Sequence, residues 1–145
     1  MKKKTKKVLF DPRCPGAKMI FYGAILLVAA GAINAFFSWV LAITPYLSDA
    51  TAGDVFSDTI VFSLQVAVAF IVAVDSINNR NRPSKARSVM IKALCALLIA
   101  VVFMLRFSNF ENEFWGVVAS GITIAGSLFI FIGAFRNAKV LGGKK

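Results

Sequence analysis

The sequence predicts an all-α integral membrane protein whose four transmembrane helices form two antiparallel hairpins, with both termini in the cytoplasm. Two observations predict this fold. The 145 residues are 58% hydrophobic with a mean hydropathy of +0.73, whereas a soluble domain is about 45–50% apolar, and the apolar residues are gathered into four long runs. Sixteen of the seventeen Lys and Arg residues lie on one side of these runs, and five of the seven acidic residues lie on the other.

The four apolar runs are predicted to be transmembrane helices. They cover residues 19–43, 59–77, 89–106 and 114–135. A bilayer core needs about 20 mostly apolar residues in a helix, and a backbone surrounded by hydrocarbon must satisfy its own hydrogen bonds. The first run is too long for a signal peptide, whose apolar stretch is about 7–15 residues. We therefore predict a basic tail over residues 1–18, a membrane domain over 19–136 and a second basic tail over 137–145.

The charged residues between the runs predict the orientation. Seven cations precede the first run, four lie between the second and third with Lys92 just inside the start of the third, and four follow the fourth. The other two connections carry acidic residues instead, namely Asp49, Asp54, Asp58, Glu111 and Glu113. Short loops rich in Lys and Arg stay in the cytoplasm, so both termini are predicted to be cytoplasmic. We expect a multi-pass protein of a cell membrane, specifically the bacterial inner membrane.

Helical projection places small and polar residues on one face of two helices. On the fourth helix these are Gly116, Ala119, Ser120, Thr123, Gly126, Ser127, Gly133 and Ala134. On the first helix they are Ala24, Gly31, Asn34, Ala35, Ser38 and Ala42. Small residues let helix backbones approach closely, and this packing drives helix association in lipid. The same polar residues could instead line a pore, so packing and pore lining are both open for Gly31, Asn34, Ser38, Gln65, Gly116, Ser120, Thr123 and Ser127.

Asn34 and Gln65 are the strongly polar residues near the middle of predicted spans. An amide buried in hydrocarbon is costly unless it finds a hydrogen-bond partner. We therefore predict that Asn34 and Gln65 bond to each other, within one bundle or between subunits.

The sequence offers little soluble chemistry. It has no His, which excludes His-based metal sites and Ser-His or Cys-His catalysis. Asp58 and Asp75 are about 25 Å apart on one predicted helix at about 1.5 Å per residue, so they cannot form a catalytic pair. Cys14 and Cys95 are isolated thiols. We predict no enzyme activity, no cofactor and no metal site.

The net charge of +10 is explained by orientation in the membrane, and we predict no nucleic-acid binding. Cationic residues near an anionic membrane surface each contribute on the order of 1 kcal/mol to lipid binding. The N-terminal lysines are the expected contacts with anionic lipid headgroups. They are Lys2, Lys3, Lys4, Lys6 and Lys7.

These features predict a non-enzymatic subunit or scaffold of a homo-oligomer or of a larger membrane complex. The alternative is a small channel, transporter or flippase of a lipid-linked substrate. Residues 31–35, Gly-Ala-Ile-Asn-Ala, resemble the Gly-x-x-Asn-Thr stretch of the small four-span GtcA-like proteins, with Ala35 in place of Thr. That resemblance implies movement of polyprenyl-linked sugars, and it belongs to the transport alternative.

Overall fold

Long α-helices make up almost all of the structure. A computed structural model describes residues 8–43, 52–107 and 114–142. Its elements are α1 (Ala17–Ile43), α2 (Ala52–Asn79), α3 (Ala86–Phe107) and α4 (Phe114–Gly142). A short 3-10 turn, Pro83–Lys85, leads directly into α3. No strand occurs within these three ranges.

The helices have the length and composition of membrane spans. Three are long and apolar enough to cross a bilayer, over Ala17–Phe36, Pro83–Leu105 and Phe114–Gly142. In α2 the described apolar stretch is shorter and covers Ser63–Asn79. An all-helical chain of this kind is suited to a lipid bilayer because every backbone hydrogen bond is satisfied within its own helix.

All four helices extend further than the apolar runs that predicted them, as the first and the last show. α1 begins at Ala17, two residues before the first apolar run, and α4 continues to Gly142, seven residues beyond the fourth. The apolar run marks where hydrocarbon would end, whereas Arg, Lys and Asn still favour or tolerate a helix once it has started. Hydropathy therefore locates the spans without locating the helix ends.

The helices pack as a four-sided bundle. α1 packs against α2 and α4, and α3 packs against α4, whereas α2 and α3 touch only sparsely. α2 and α4 therefore lie on a diagonal of the bundle. α1 and α4 are antiparallel, because Gly16 lies against Gly133 while Gly23 lies against Gly126. The start of α3 and the end of α4 likewise meet, since Arg87 and Leu141 line one cavity.

The interior is built mainly from small side chains. Ile20, Leu27 and Ile130 are the largest fully buried apolar residues, and alanines from all four helices surround them. The outer surface carries large apolar side chains instead. Examples are Tyr22, Ile25, Phe36, Ile71, Ile91, Val102, Leu105 and Phe129. This distribution is typical of helices that pack through small residues and expose large apolar ones to lipid or to another protein.

Candidate functional site

The closest helix contact is a glycine seam between α1 and α4. We define the glycine seam as Gly16, directly before α1, and Gly23 on α1, with Gly126 and Gly133 on α4; each pair is spaced seven residues apart. A Cβ atom added to Gly23 would lie 2.6 Å from the carbonyl oxygen of Gly126, and one added to Gly126 would lie 2.8 Å from that of Gly23. Even a methyl group does not fit there, so the two backbones are in direct contact.

Polar side chains are buried beside the glycine seam. We define the polar stripe as Ser120, Thr123 and Ser127 of α4 together with Gln65 of α2. Each of these residues is at most 2% exposed. Every α4 residue that the projection placed on the small-residue face is buried, Gly116 included. Gly31 and Asn34 of α1 are buried as well, whereas the Ser38 side chain lies outside the described part of the structure. Whether these residues only pack or also line a path remains a prediction.

Gln65 does not have the partner that the sequence suggested. Its Nε2 donates a hydrogen bond to Ser120 Oγ at 3.1 Å. The prediction that this amide nitrogen bonds to Asn34 was therefore wrong. The reason is the arrangement of the helices in the bundle. A glutamine on α2 is long enough to reach across the bundle diagonal to α4, and the sequence does not reveal which helices lie diagonally.

Some capacity for hydrogen bonding within the polar stripe is unused. Thr123 Oγ1 donates to the carbonyl of Ala119 at 2.8 Å, one turn back on its own helix. Gln65 Oε1 and Ser127 Oγ have no partner among the described residues. Because a buried polar atom without a partner is costly, these two atoms, like Ser76 Oγ of α2, are points in the described interior where a polar molecule would be readily accommodated.

The buried face of α1 differs from the predicted one. Ala24, Gly31 and Asn34 are buried, but Ala35 is exposed, so its assignment to the packing face was wrong. The projection also missed residues that the structure buries, namely Gly16, Ile20, Gly23, Leu27 and Ala30. The seven-residue spacing of Gly16, Gly23 and Ala30 was the signal that would have found this face.

A second polar site lies at one end of the bundle, where Asn137 joins three segments. Its Oδ1 accepts a hydrogen bond from the backbone N–H of Gly16 at 2.8 Å. Its Nδ2 donates to the carbonyl of Arg80 at 3.0 Å. Asn137 is 1% exposed; its hydrogen bond with Gly16 is buried and the one with Arg80 is partly buried. This one side chain ties the start of α1 and the end of α2 to α4.

Two residues after α2 hold the chain that precedes α1. Arg80 Nε donates to the Leu9 carbonyl at 2.9 Å. Asn81 Nδ2 donates to the Val8 carbonyl at 3.0 Å, and Asn81 Oδ1 accepts the N–H of Asp11 at 3.1 Å. We name the set formed by Arg80, Asn81, Asn137 and the backbone of residues 8–16 the N-terminal clasp.

Sequence reasoning missed the N-terminal clasp. Arg80 served only as one of the cations that predict the orientation, and no role was assigned to Asn81. Hydrogen bonds from a side chain to a distant backbone group leave no periodic pattern, because the bonded backbone places no demand on residue type. Asn137, placed after the last apolar run, gave no signal of burial.

Cys14 lies within the N-terminal clasp segment. Its side chain is 4% exposed, and its backbone N–H donates to the Asp11 carbonyl at 2.9 Å. Burial raises the pKa of the Cys14 thiol above its ordinary value, and the nearby Asp11 carboxylate adds to this increase. The thiol is therefore a poor nucleophile at neutral pH.

One ion pair connects the sparsely packed helices α2 and α3. Lys92 Nζ lies 2.9 Å from Asp75 Oδ2, with both side chains partly exposed. Among the described residues, no three side chains of His, Cys, Asp or Glu come together as a metal site. The headgroup contacts predicted for Lys2 to Lys7 fall outside the described residues.

Comparison with protein-family models, curated proteins and solved structures finds no match to this chain.

Proposed function

We propose that this protein is a non-enzymatic integral membrane protein that acts as a subunit or scaffold of a homo-oligomer or larger membrane complex. The observations that carry this proposal are the sparse contact between α2 and α3 and the large apolar side chains that both helices expose on the outer surface of the bundle. Ile71 and Val74 of α2 and Leu98 of α3 are all more than half exposed. A helix of another subunit would cover them.

The glycine seam supports the same proposal from inside the bundle. Direct backbone contact between α1 and α4 closes the space between these helices, so their small residues serve packing within the chain. Association with other subunits would therefore use the outer apolar faces. This changes the basis of the assembly hypothesis, which rested on the small-residue faces.

We further propose four membrane spans with both termini in the cytoplasm of a bacterium. α2 has 28 residues, about 42 Å at about 1.5 Å per residue, which exceeds a bilayer core of about 30 Å. The N-terminal clasp supports the orientation, because it brings the segment before α1, the α2–α3 connection and the end of α4 to one end of the bundle. These are the three cation-rich parts of the sequence. Anionic lipid would attract them to the cytoplasmic surface.

Site-specific photocrosslinking tests the assembly. A photoreactive phenylalanine analogue replaces Ile71 or Leu98 in the full-length protein, and the matched control carries it at Ile25, an exposed position of α1. We expect discrete protein adducts from positions 71 and 98 in native membranes, and only lipid adducts from position 25. A purely monomeric mass in detergent together with no protein adduct from positions 71 and 98 would contradict the proposal.

A small channel, transporter or flippase is the second candidate, and one observation favours it. Gln65 Oε1 and Ser127 Oγ are buried polar atoms with unused capacity, as expected of groups that bind a passing polar molecule. Liposomes containing the protein would then move protons, K⁺ or a fluorescently labelled phospholipid faster than empty liposomes. Gln65→Leu should abolish that flux, whereas Gly121→Ala, at a position with open space around it, should retain it. Flux that survives Gln65→Leu would rule out this lining.

A further inference from the structure

Two cavities meet at Arg87, in the first turn of α3. The first, which we name the end cavity, has a volume of about 570 Å³ and is lined by Pro83, Ser84, Arg87, Ala138, Leu141 and Gly142. The second, the side groove, has a volume of about 360 Å³ and is lined by Arg87, Met90, Ile91, Leu94 and Phe131. Arg87 is the residue that they share, so a space at the end of the bundle, with Ser84 and Arg87 as its polar lining residues, continues into an apolar groove along α3 and α4.

The Arg87 side chain is available for a ligand. It is exposed, and within the described part of the chain its guanidinium forms no hydrogen bond or ion pair. Lys85 lies two residues earlier, and no described acidic residue lines either cavity. A guanidinium presents several donors in one plane and binds phosphate oxygens in a bidentate manner. The end cavity is therefore complementary to a phosphate group.

The side groove identifies the rest of the ligand. Met90, Ile91, Leu94 and Phe131 offer a continuous apolar surface that begins at the same guanidinium. On α3 these positions recur at the three- and four-residue intervals of one helix face. A free phosphate would leave this surface uncovered, whereas an acyl chain attached to the phosphate would cover it.

We propose that Arg87 and the side groove form a binding site for an anionic phospholipid. The phosphate binds Arg87, the glycerol and headgroup occupy the end cavity, and one acyl chain lies along α3 against Phe131. The site depends on the proposed membrane placement of α3, but not on the proposed role as a complex subunit.

Native mass spectrometry of the full-length protein in detergent tests the site. The probes are phosphatidylglycerol and phosphatidylcholine with identical acyl chains. We expect the protein to retain phosphatidylglycerol more strongly, and Arg87→Gln to weaken that binding about fivefold, the factor that corresponds to about 1 kcal/mol for one cation at a membrane surface. Arg87→Lys should recover part of the loss, because it restores the charge without the planar donors.

Matched variants separate this site from general surface attraction. Lys18→Gln removes one exposed cation from α1 and should leave binding of both lipids unchanged. Leu94→Trp should fill the side groove and weaken the binding of both lipids. Leu98→Trp, one turn further along α3 and outside the groove, should weaken the binding of neither lipid. Lipid binding is compared only among variants whose unfolding midpoint in detergent equals that of the wild type. If Arg87→Gln unfolds, Arg87→Lys is measured in its place.

Three results would overturn the proposal. Equal losses from Arg87→Gln and Lys18→Gln would show nonspecific attraction to the basic surface. Equal retention of phosphatidylglycerol and phosphatidylcholine would show an ordinary lipid-facing groove. Competition by glycerol 3-phosphate at the concentration of the lipid would show a site for a soluble phosphate compound. None of these results depends on whether the protein is a monomer, so they are separate from a failure of the assembly proposal.

Discussion

Asn137 is a buried polar side chain that hydrogen-bonds to two other segments at the end of the bundle. Its amide satisfies one donor and one acceptor that belong to two other segments. Loss of this side chain leaves the Gly16 N–H and the Arg80 carbonyl buried without partners, and each such group costs about 1–3 kcal/mol.

Asn137→Ala should therefore release the N-terminal clasp. Trypsin should cleave after Arg13, which is exposed within the clasped segment, at least several times faster in this variant than in the wild type. Asn78→Ala is the matched control, because Asn78 is an exposed asparagine at the same end of the bundle. Equal cleavage rates for Asn137→Ala and the wild type would show that the clasp does not restrain the segment.

Cys14 gives the clasp a pH dependence. Because its pKa is raised in the folded protein, the folded state keeps the thiol protonated at a pH where the unfolded chain has already lost the proton. The protonated Cys14 thiol therefore makes its full contribution to the free energy of unfolding below the ordinary thiol pKa of about 8.5. That contribution falls as the pH rises beyond this value.

Alkylation of Cys14 should follow the same rule. In a Cys95→Ser background, the rate of iodoacetamide labelling should increase only at a pH above the ordinary thiol pKa, because burial disfavours the thiolate. Asp11→Asn keeps an oxygen at the position that accepts the Arg13 N–H but removes the negative charge, and it should move the labelling midpoint to lower pH. A wild-type midpoint at the ordinary value would contradict the raised pKa.

Individual residues show where sequence reasoning fails at this scale. Gln65 was recognised as a buried amide that needs a partner, but Ser120 was not identified as that partner. Burial follows from position within an apolar run, whereas the choice of partner depends on how four helices are arranged around one another. Arg80 and Asn81 bond to backbone groups, which every residue type possesses, so their sequence carried no trace of those bonds.

At the scale of helices, the glycine seam determines how α1 and α4 pack. Adding a methyl group at Gly126 brings it within 2.8 Å of the Gly23 carbonyl oxygen and 3.1 Å of Leu26 Cβ. The obstacle is backbone, which cannot move aside as a flexible side chain would. A Cβ added at Gly121 on the same helix meets nothing within 4 Å.

Gly126→Ala and Gly121→Ala should therefore have opposite effects. Overpacking in a close contact typically costs about 1–3 kcal/mol, so Gly126→Ala should lower the unfolding midpoint in detergent. Gly121→Ala should leave it unchanged or raise it, since Ala stabilises a helix by up to about 1 kcal/mol relative to Gly. A midpoint for Gly126→Ala equal to that for Gly121→Ala would exclude direct backbone contact.

The two packing faces were not equally predictable. On α4 the small and polar residues form one unbroken face, and the structure buries that whole set. On α1 small residues occur on more than one face. Ala35 was grouped with the buried residues although it is exposed, while Gly16 and Gly23 were not grouped with them. Composition alone cannot choose between two faces with small residues, because the neighbouring helices decide which one is covered.

At the scale of the whole molecule, the proposed topology leads to a labelling prediction. Single cysteines are introduced by Ser84→Cys in the α2–α3 connection and Ser48→Cys in the α1–α2 connection, in a chain that also carries Cys14→Ser and Cys95→Ser. A membrane-impermeant maleimide should label position 48 in intact cells and position 84 only after permeabilisation, since cation-rich loops remain in the cytoplasm. Permeabilised cells are the control in which both should react.

Labelling of position 84 in intact cells would reverse the proposed orientation.

The coarse architecture, an all-helical bundle of apolar helices, was predicted from run length and composition, and the structure has it. The order of helices around the bundle could not be predicted, because apolar runs of similar composition do not encode which neighbour they meet.

The direct backbone contact along the glycine seam also restricts how the protein can change shape. Two helices in contact at their main chains cannot slide or rotate past each other without collision at Gly23 and Gly126. α1 and α4 are therefore expected to move together. The side of the bundle where α2 and α3 meet sparsely, joined by the Asp75–Lys92 ion pair, is the place where the helices would separate first.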